Sequence, residues 1–97
     1  GMTTAAEKRH LSRVVELGCA LCRHMGYENP SAEIHHPRTG TGAGRKSPHS
    51  DAIPMCPFHH RLGNESLHAM GRKAFERHHG VTEVELLAQT RALLGEE

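Results

Sequence analysis

The segments Cys19-Ala20-Leu21-Cys22 and Cys56-Pro57-Phe58-His59 decide how this chain folds. Each segment places two potential metal ligands with two residues between them, and 33 residues separate the two segments. Four sulfur and nitrogen ligands in such pairs are typical of a closed, tetrahedral zinc site. We therefore predict a structural zinc ion that joins the two segments through Cys19, Cys22, Cys56 and His59.

The composition favours a metal over disulfides as the stabilising cross-link. Only 36% of the 97 residues are apolar and three are aromatic, so the core is thin and needs a cross-link. Three cysteines cannot pair internally without leaving one over, which indicates metal binding in a reducing compartment. The alternative is three independent buried thiols that pack as small hydrophobic groups. Because the spacing is right twice, we favour zinc, which would contribute folding free energy rather than catalysis.

Hydropathy and charge indicate where the protein acts and what it contacts. The sequence has neither an apolar run of about 18 residues nor the apolar stretch of a signal peptide, so we expect a soluble, cytoplasmic protein with no membrane partner. The formal net charge is only +1, but basic residues concentrate in the middle of the chain. Such a surface suits a polyanion such as nucleic acid, although a solvated charged face is the alternative. The predicted phosphate contacts are Arg38, Arg45, Lys46 and Arg61.

The residue pattern predicts an α+β fold with helices around two short strands. A helix over 4–17 begins at a capping box formed by Thr4 and Glu7 and ends at Gly18. Short strands are predicted at 32–36 and 51–55, where Pro54 indicates an edge or a bend.

The rest of the chain is predicted to be helical. A helix opens within 57–64, although Gly63 weakens it, and further helices cover 65–79 and 82–94. The last of these starts at a second capping box, Thr82 with Glu85. We predict one domain over 1–97, with knuckles at 19–22 and 56–59 and a catalytic core at about 32–64.

Ten histidines include three adjacent pairs. His35-His36 lies between the two knuckles, and His59-His60 lies at the end of the second knuckle. Neighbours on a strand point to opposite faces, so one of His35 and His36 can bind a metal while the other acts as a base. His60 and Asn64 are four residues apart and would share a helical face, so both could meet His35 at a second metal. A metal ion beside a neutral imidazole suits phosphodiester hydrolysis. Chance pairing is the alternative, and we interpret His78-His79 as helix-end residues.

The order of these residues resembles a known signature. Glu33-Ile34-His35-His36-Pro37, followed by a loop and then Asp51 to His60, closely resembles the His-Asn-His endonuclease motif, whose fold is the ββα-metal finger. More narrowly, the stretch 35–80, with its double-histidine knuckle and the trailing Phe75-Glu76-Arg77-His78-His79-Gly80, resembles the phage recombination-enhancement (Ref) nuclease family and its prophage relatives. The resemblance covers about half of the chain.

The resemblance implies a role for each matching residue. It implies that His36 is the general base that activates water, and that Asp51 takes the place of the middle asparagine that orients the base. Ser50 or His49 is the alternative for that place. The catalytic divalent ion, magnesium or manganese, would be bound by His35 and His60, with Asn64 as a candidate third ligand. The structural zinc set is the one already derived from spacing.

The sequence therefore predicts a small, zinc-stapled ββα-metal finger domain with flanking helices. As a function it predicts a metal-dependent DNA endonuclease in phage recombination or DNA processing. The implied partners are DNA and a recombinase filament or another phage protein, and the oligomeric state stays open. The alternatives are a non-catalytic, zinc-stabilised nucleic-acid-binding module and a protein-interaction zinc domain. His68, eight residues after His60, would share its helical face in an unbroken helix and could then approach the catalytic metal or a phosphate. Because Gly63 should break the helix before it, we expect a structural or phosphate-contacting role instead.

Overall fold

A computed structural model describes residues 3–37 and 51–95, and over these ranges the chain is a small α+β structure with one antiparallel strand pair. Two helices precede the strands, and a π-helical turn and three further helices follow them. In chain order the elements are α1 (Ala5–Glu16), α2 (Ala20–His24), β1 (Glu33–His35), β2 (Ile53–Met55), the π-helical turn (Phe58–Leu62), α3 (Leu67–Met70), α4 (Arg72–His79) and α5 (Glu83–Leu93).

Both predicted capping boxes are confirmed. The Thr4 hydroxyl accepts a hydrogen bond from the Glu7 amide at 3.1 Å, and the Glu7 carboxylate accepts one from the Thr4 amide at 2.8 Å. In the second box the Thr82 hydroxyl accepts from the Glu85 amide at 3.0 Å, and the Glu85 carboxylate accepts from the Thr82 amide at 2.9 Å. Each box satisfies two amides that the first turn leaves without helical partners, and so defines where α1 and α5 begin.

The strand pair lies at the centre of the fold. Glu33 pairs with Met55, Ile34 with Pro54 and His35 with Ile53, so both strands are shorter than predicted. All three residues of β2 are buried, and α1, α2 and α5 contact this strand. Around it the largest buried side chains of the core are Phe75, Leu21, Ile53, Met55 and Leu86.

The prediction of one helix over 65–79 is wrong. Gly71 has φ +82° and separates α3 from α4, because this backbone conformation lies outside the right-handed helix. Ser66 starts α3, and its hydroxyl accepts a hydrogen bond from the Ala69 amide at 3.1 Å. Gly80, in the left-handed conformation, ends α4 as predicted.

Two further elements differ from the prediction. The short helix α2 occupies the first knuckle, where the Cys19 sulfur caps it by accepting from the Cys22 amide at 3.4 Å. The helix that opens after Pro57 is a π-helical turn: the Gly63 amide donates to the Phe58 carbonyl, five residues back, at 2.8 Å. An added Cβ at Gly63 would lie 2.9 Å from the Phe58 ring, so glycine allows the turn to close.

Within residues 3–37 and 51–95, none of the helices combines the length and apolar character needed to cross a bilayer.

We predict that Gly18→Ala destabilises the fold more than Gly26→Ala. Both glycines have positive φ, +79° and +94°, but an added Cβ at Gly18 would lie 2.5 Å from the Asn29 carbonyl oxygen, whereas at Gly26 it meets nothing within 4 Å. Both variants should lose about 1 kcal/mol or more from backbone strain, and Gly18→Ala should lose more because Asn29 must move. Equal losses in chemical denaturation would contradict the close approach.

Candidate functional site

The four predicted zinc ligands come together in one cluster. Their ligand atoms all lie within 4.8 Å of one another. The Cys22 and Cys56 sulfurs are 4.0 Å apart, and His59 Nδ1 lies 3.5 and 3.3 Å from them. Zinc–sulfur bonds of about 2.3 Å in a tetrahedral site separate neighbouring ligand atoms by roughly 3.5–3.8 Å. The spacing and the Cys3His donor set therefore fit a metal such as zinc.

The buried surroundings of this cluster shift the pKa values of its thiols and of its imidazole. Cys19, Cys22 and Cys56 are all buried and free of disulfides. Burial raises the pKa of Cys22 to about 12 and also raises the pKa of Cys56. Burial lowers the pKa of His59, and the nearby His79 acts in the same direction. A metal must therefore displace thiol protons to bind, while the imidazole is already neutral and ready to act as a ligand.

Asn29 supports the cluster from outside. Its side-chain amide donates to the Cys22 sulfur at 3.5 Å, and its backbone carbonyl accepts from the Cys19 backbone amide at 2.9 Å. Hydrogen bonds of this kind orient ligands and stabilise thiolate charge. Asn29 was not singled out from the sequence, because it reaches the cluster only through the turn that follows α2.

A second cluster consists of His35, His60 and His68, which offer ligand atoms within 4.8 Å of one another. The His60 ring lies between the other two, with centroids 5.1 Å from His35 and 4.6 Å from His68. His60 is buried and His68 is exposed, so the cluster opens to solvent on the His68 side. Burial lowers the pKa of His60, the Glu33 hydrogen bond opposes this shift, and His35 and His68 reinforce it.

Two glutamates contact ring nitrogens of this histidine cluster. Glu33 Oε2 lies 2.5 Å from His60 Nδ1, and Glu83 Oε2 contacts His35 Nε2. Arg61 binds the Glu33 carboxylate through two nitrogens at 2.8 and 3.2 Å. Hydrogen bonds from Arg61 and His60 lower the pKa of Glu33 to about 2. The carboxylate beside His60 is therefore ionised across the physiological range.

His68 reaches the cluster by a route that helix periodicity does not reveal. The helical turn ends at Leu62, Gly63 is extended with φ −82° and ψ 163°, and the chain restarts as α3 at its Ser66 cap. This break brings His68 against His60. The predicted break at Gly63 is confirmed, but it does not separate the two histidines. Ser66, as a helix cap two residues before His68, is the signal that could have indicated the restart.

The other predicted site residues lie around the two clusters. His36 is half-buried and directly follows β1. Asp51 bonds to Arg91 of α5 at 2.5 Å. Asn64 is exposed and lines a shallow cleft with Phe58 and Leu62, and because the π-helical turn ends at Leu62 it does not share a helical face with His60.

The predicted basic residues fall in two groups. Arg61 is 48% exposed beyond its ion pair with Glu33, so its guanidinium still faces solvent. The other three, Arg38, Arg45 and Lys46, lie outside the described residues, as do Ser50 and His49.

Fold and site together define a small α+β domain with a Cys3His cluster that could bind zinc and a second, solvent-facing histidine cluster. Residues 3–95 match a family described as recombination enhancement, RecA-dependent nuclease. The chain belongs to this family, and its class is therefore that of a RecA-dependent nuclease in recombination enhancement. A search of the curated proteins found no match.

We predict that Cys22→Ala abolishes zinc binding and unfolds the domain. Structural zinc sites bind with apparent free energies of about 10 kcal/mol or more, which exceeds the roughly 5 kcal/mol net stability of a small domain. Zinc content by mass spectrometry and circular dichroism of the purified variant are the measurements. His24→Ala, which changes an exposed histidine two residues away, is the control and should keep both signals. A folded, zinc-loaded Cys22→Ala protein would show that the cluster is not the zinc site.

Proposed function

We propose that the chain is a metal-dependent DNA endonuclease of the ββα-metal type, with a structural zinc at the Cys3His cluster and a catalytic divalent ion at the histidine cluster. The observation that carries the proposal is the convergence of His35, His60 and His68 in a chain of this nuclease family. The order of elements also supports it, because two antiparallel strands lead into the helical turn that presents both His59 and His60.

In the proposed reaction, His36 acts as the general base. Its imidazole would take a proton from water as the water oxygen forms a bond to phosphorus and the bond from phosphorus to the leaving deoxyribose oxygen breaks. A bound divalent ion would stabilise the negative charge that develops on the phosphate and the leaving oxygen. Arg61, anchored by Glu33 and still exposed, is placed to contact a flanking phosphate. Asp51 as the residue that orients the base stays part of the proposal.

We further propose His68 rather than Asn64 as the third ligand of the catalytic ion. His68 contributes a ligand atom to the converging set, whereas Asn64 follows the extended Gly63 on an exposed turn. Magnesium prefers oxygen ligands in octahedral geometry, and imidazole suits later transition metals better. Of the two ions that the sequence predicts, manganese is the transition metal and accepts nitrogen ligands more readily than magnesium, so we propose manganese for this set of three imidazoles.

The family description also guides the proposal for a partner. Dependence on RecA fits a DNA substrate that a recombinase filament presents, so targeting would come from the filament rather than from base contacts of this chain. Cleavage assays should therefore include DNA paired by such a filament beside free plasmid and single strands.

We predict that His36→Ala lowers manganese-dependent cleavage of filament-paired DNA by about 10²- to 10⁴-fold, the contribution typical of a general base. Zinc content and circular dichroism should stay at wild-type values. His78→Ala, which alters an exposed histidine paired with Glu65, is the matched control. Full cleavage by His36→Ala would refute the base assignment. Salt-dependent DNA binding by the wild type with no cleavage under any condition would instead identify a non-catalytic binding module.

We predict that His68→Ala raises the manganese concentration needed for half-maximal cleavage by at least about tenfold, because a ligand is lost. Asn64→Ala should leave that concentration close to the wild-type value. Titration of cleavage rate against manganese separates the two variants. The reverse order of effects would make Asn64 the ligand and His68 a neighbour.

A further inference from the structure

The side chain of Glu83 is a buried carboxylate that contacts the proposed catalytic site from the last helix. It is the first residue of α5, lies 48 positions from His35 in the sequence, and contacts His35 Nε2. The Glu83 side chain is 4% exposed and that of His35 is 12% exposed. A carboxylate so deeply buried is stable only with a hydrogen-bonded partner, and here the imidazole of His35 supplies it.

The backbone around Glu83 is held as firmly as its side chain. The Glu83 amide donates to Glu76 Oε2 at 2.8 Å, and Arg72 binds the other oxygen of Glu76 at 3.1 Å. Thr82 caps the same helix turn. Glu83 therefore belongs to a bonded network that joins α4 to α5, and its carboxylate has a defined position against His35. The start of a helix also favours a negative charge.

The contact determines which nitrogen of His35 is available to a metal. A carboxylate only accepts hydrogen bonds, so the nitrogen it contacts carries the proton and the other nitrogen keeps its lone pair. Glu83 contacts Nε2 of His35, so the lone pair that a metal could use is on Nδ1. At His60 the arrangement is reversed: Glu33 contacts Nδ1, so the lone pair is on Nε2.

We propose that Glu83 is a positioning residue of the histidine cluster, which holds His35 as the Nε2–H tautomer and so directs Nδ1 to the divalent ion. The inference rests on the proposed function, since it requires His35 to be a ligand. Carboxylates behind ligating histidines raise the basicity of the ligand and fix the orientation of its ring. Through Glu83 the last helix contributes to metal affinity although it supplies no ligand.

The test compares Glu83→Gln and Glu83→Ala with Thr82→Ala in the zinc-loaded chain of residues 1–97. Thr82→Ala removes the cap of the same helix, at a cost of about 1 kcal/mol, but keeps the carboxylate beside His35. The tautomer of His35 is measured in the absence of manganese by long-range proton–nitrogen correlation NMR. The affinity for manganese is measured from the electron paramagnetic resonance signal of the unbound ion. The cleavage rate of each protein is also measured at low and at saturating manganese concentration.

Wild type and Thr82→Ala should show the Nε2–H tautomer and equal manganese affinity. Glu83→Ala should show a mixture of tautomers, an affinity lower by about 10- to 100-fold, and cleavage that recovers at saturating manganese. Glu83→Gln should have a tautomer population and a manganese affinity between those of the wild type and Glu83→Ala. The reason is that the glutamine carbonyl can still accept a hydrogen bond from Nε2, while its amide group also permits the other tautomer. If Glu83→Ala does not fold, Glu83→Gln decides the question alone.

Three results would overturn the inference. They are an Nδ1–H tautomer in the wild type, wild-type affinity and tautomer in Glu83→Gln, or an equal loss of affinity in Thr82→Ala. Failure of the proposed function has a different signature. In that case the wild type does not cleave filament-paired DNA, and the His35→Ala variant binds manganese as tightly as the wild type does. Both results would be independent of the tautomer of His35.

Discussion

The structure depends on the convergence of three thiols and one imidazole from two distant parts of the chain. Cys19 caps α2 and Cys22 lies within it, whereas Cys56 directly follows β2 and His59 lies in the π-helical turn. The thiols are buried, and burial raises the pKa of Cys22 and of Cys56, so a bound metal would have to displace their protons. A metal at this cluster would join α2 to the segment that follows β2, which matters because the hydrophobic core alone is small.

The two clusters are not independent, because His59 and His60 are neighbours in the sequence. His59 turns Nδ1 toward the cysteines, and His60 turns toward His35, His68 and Glu33. A structural ion that holds the turn in place would also hold His60 for the second cluster. The buried side chain of His60 and the ion pair of Glu33 with Arg61 add rigidity from the other side. One short segment of the chain therefore contributes a histidine to each of the two clusters.

Local rules explain which features could be predicted from the sequence. The knuckles, the Thr4 and Thr82 caps and the stop at Gly80 depend on residues within a few positions of one another, so spacing alone reveals them. The break at Gly71 was missed because the apolar spacing from Leu67 to Phe75 continues through it. His68 lies eight positions after His60, a spacing that a continuous helix would bring to one face, but the break at Gly63 counted against that contact. Glu83, 23 positions after His60, joins the histidine cluster through tertiary packing, and no periodic pattern encodes its contact. The hydrogen bond of Asn29 to Cys22 was hidden for the same reason.

The wide turn between Cys56 and Gly63 makes this part of the chain intolerant of changes in length. Removal of one residue would rotate everything after it about the axis of the turn, and His59 and His60 could no longer face their separate clusters together. Substitution is a milder change, because Phe58 and Leu62 point outward, 58% and 67% exposed. Among relatives of this chain, selection should therefore conserve the number of residues in the turn more strictly than the identity of its outward-facing side chains.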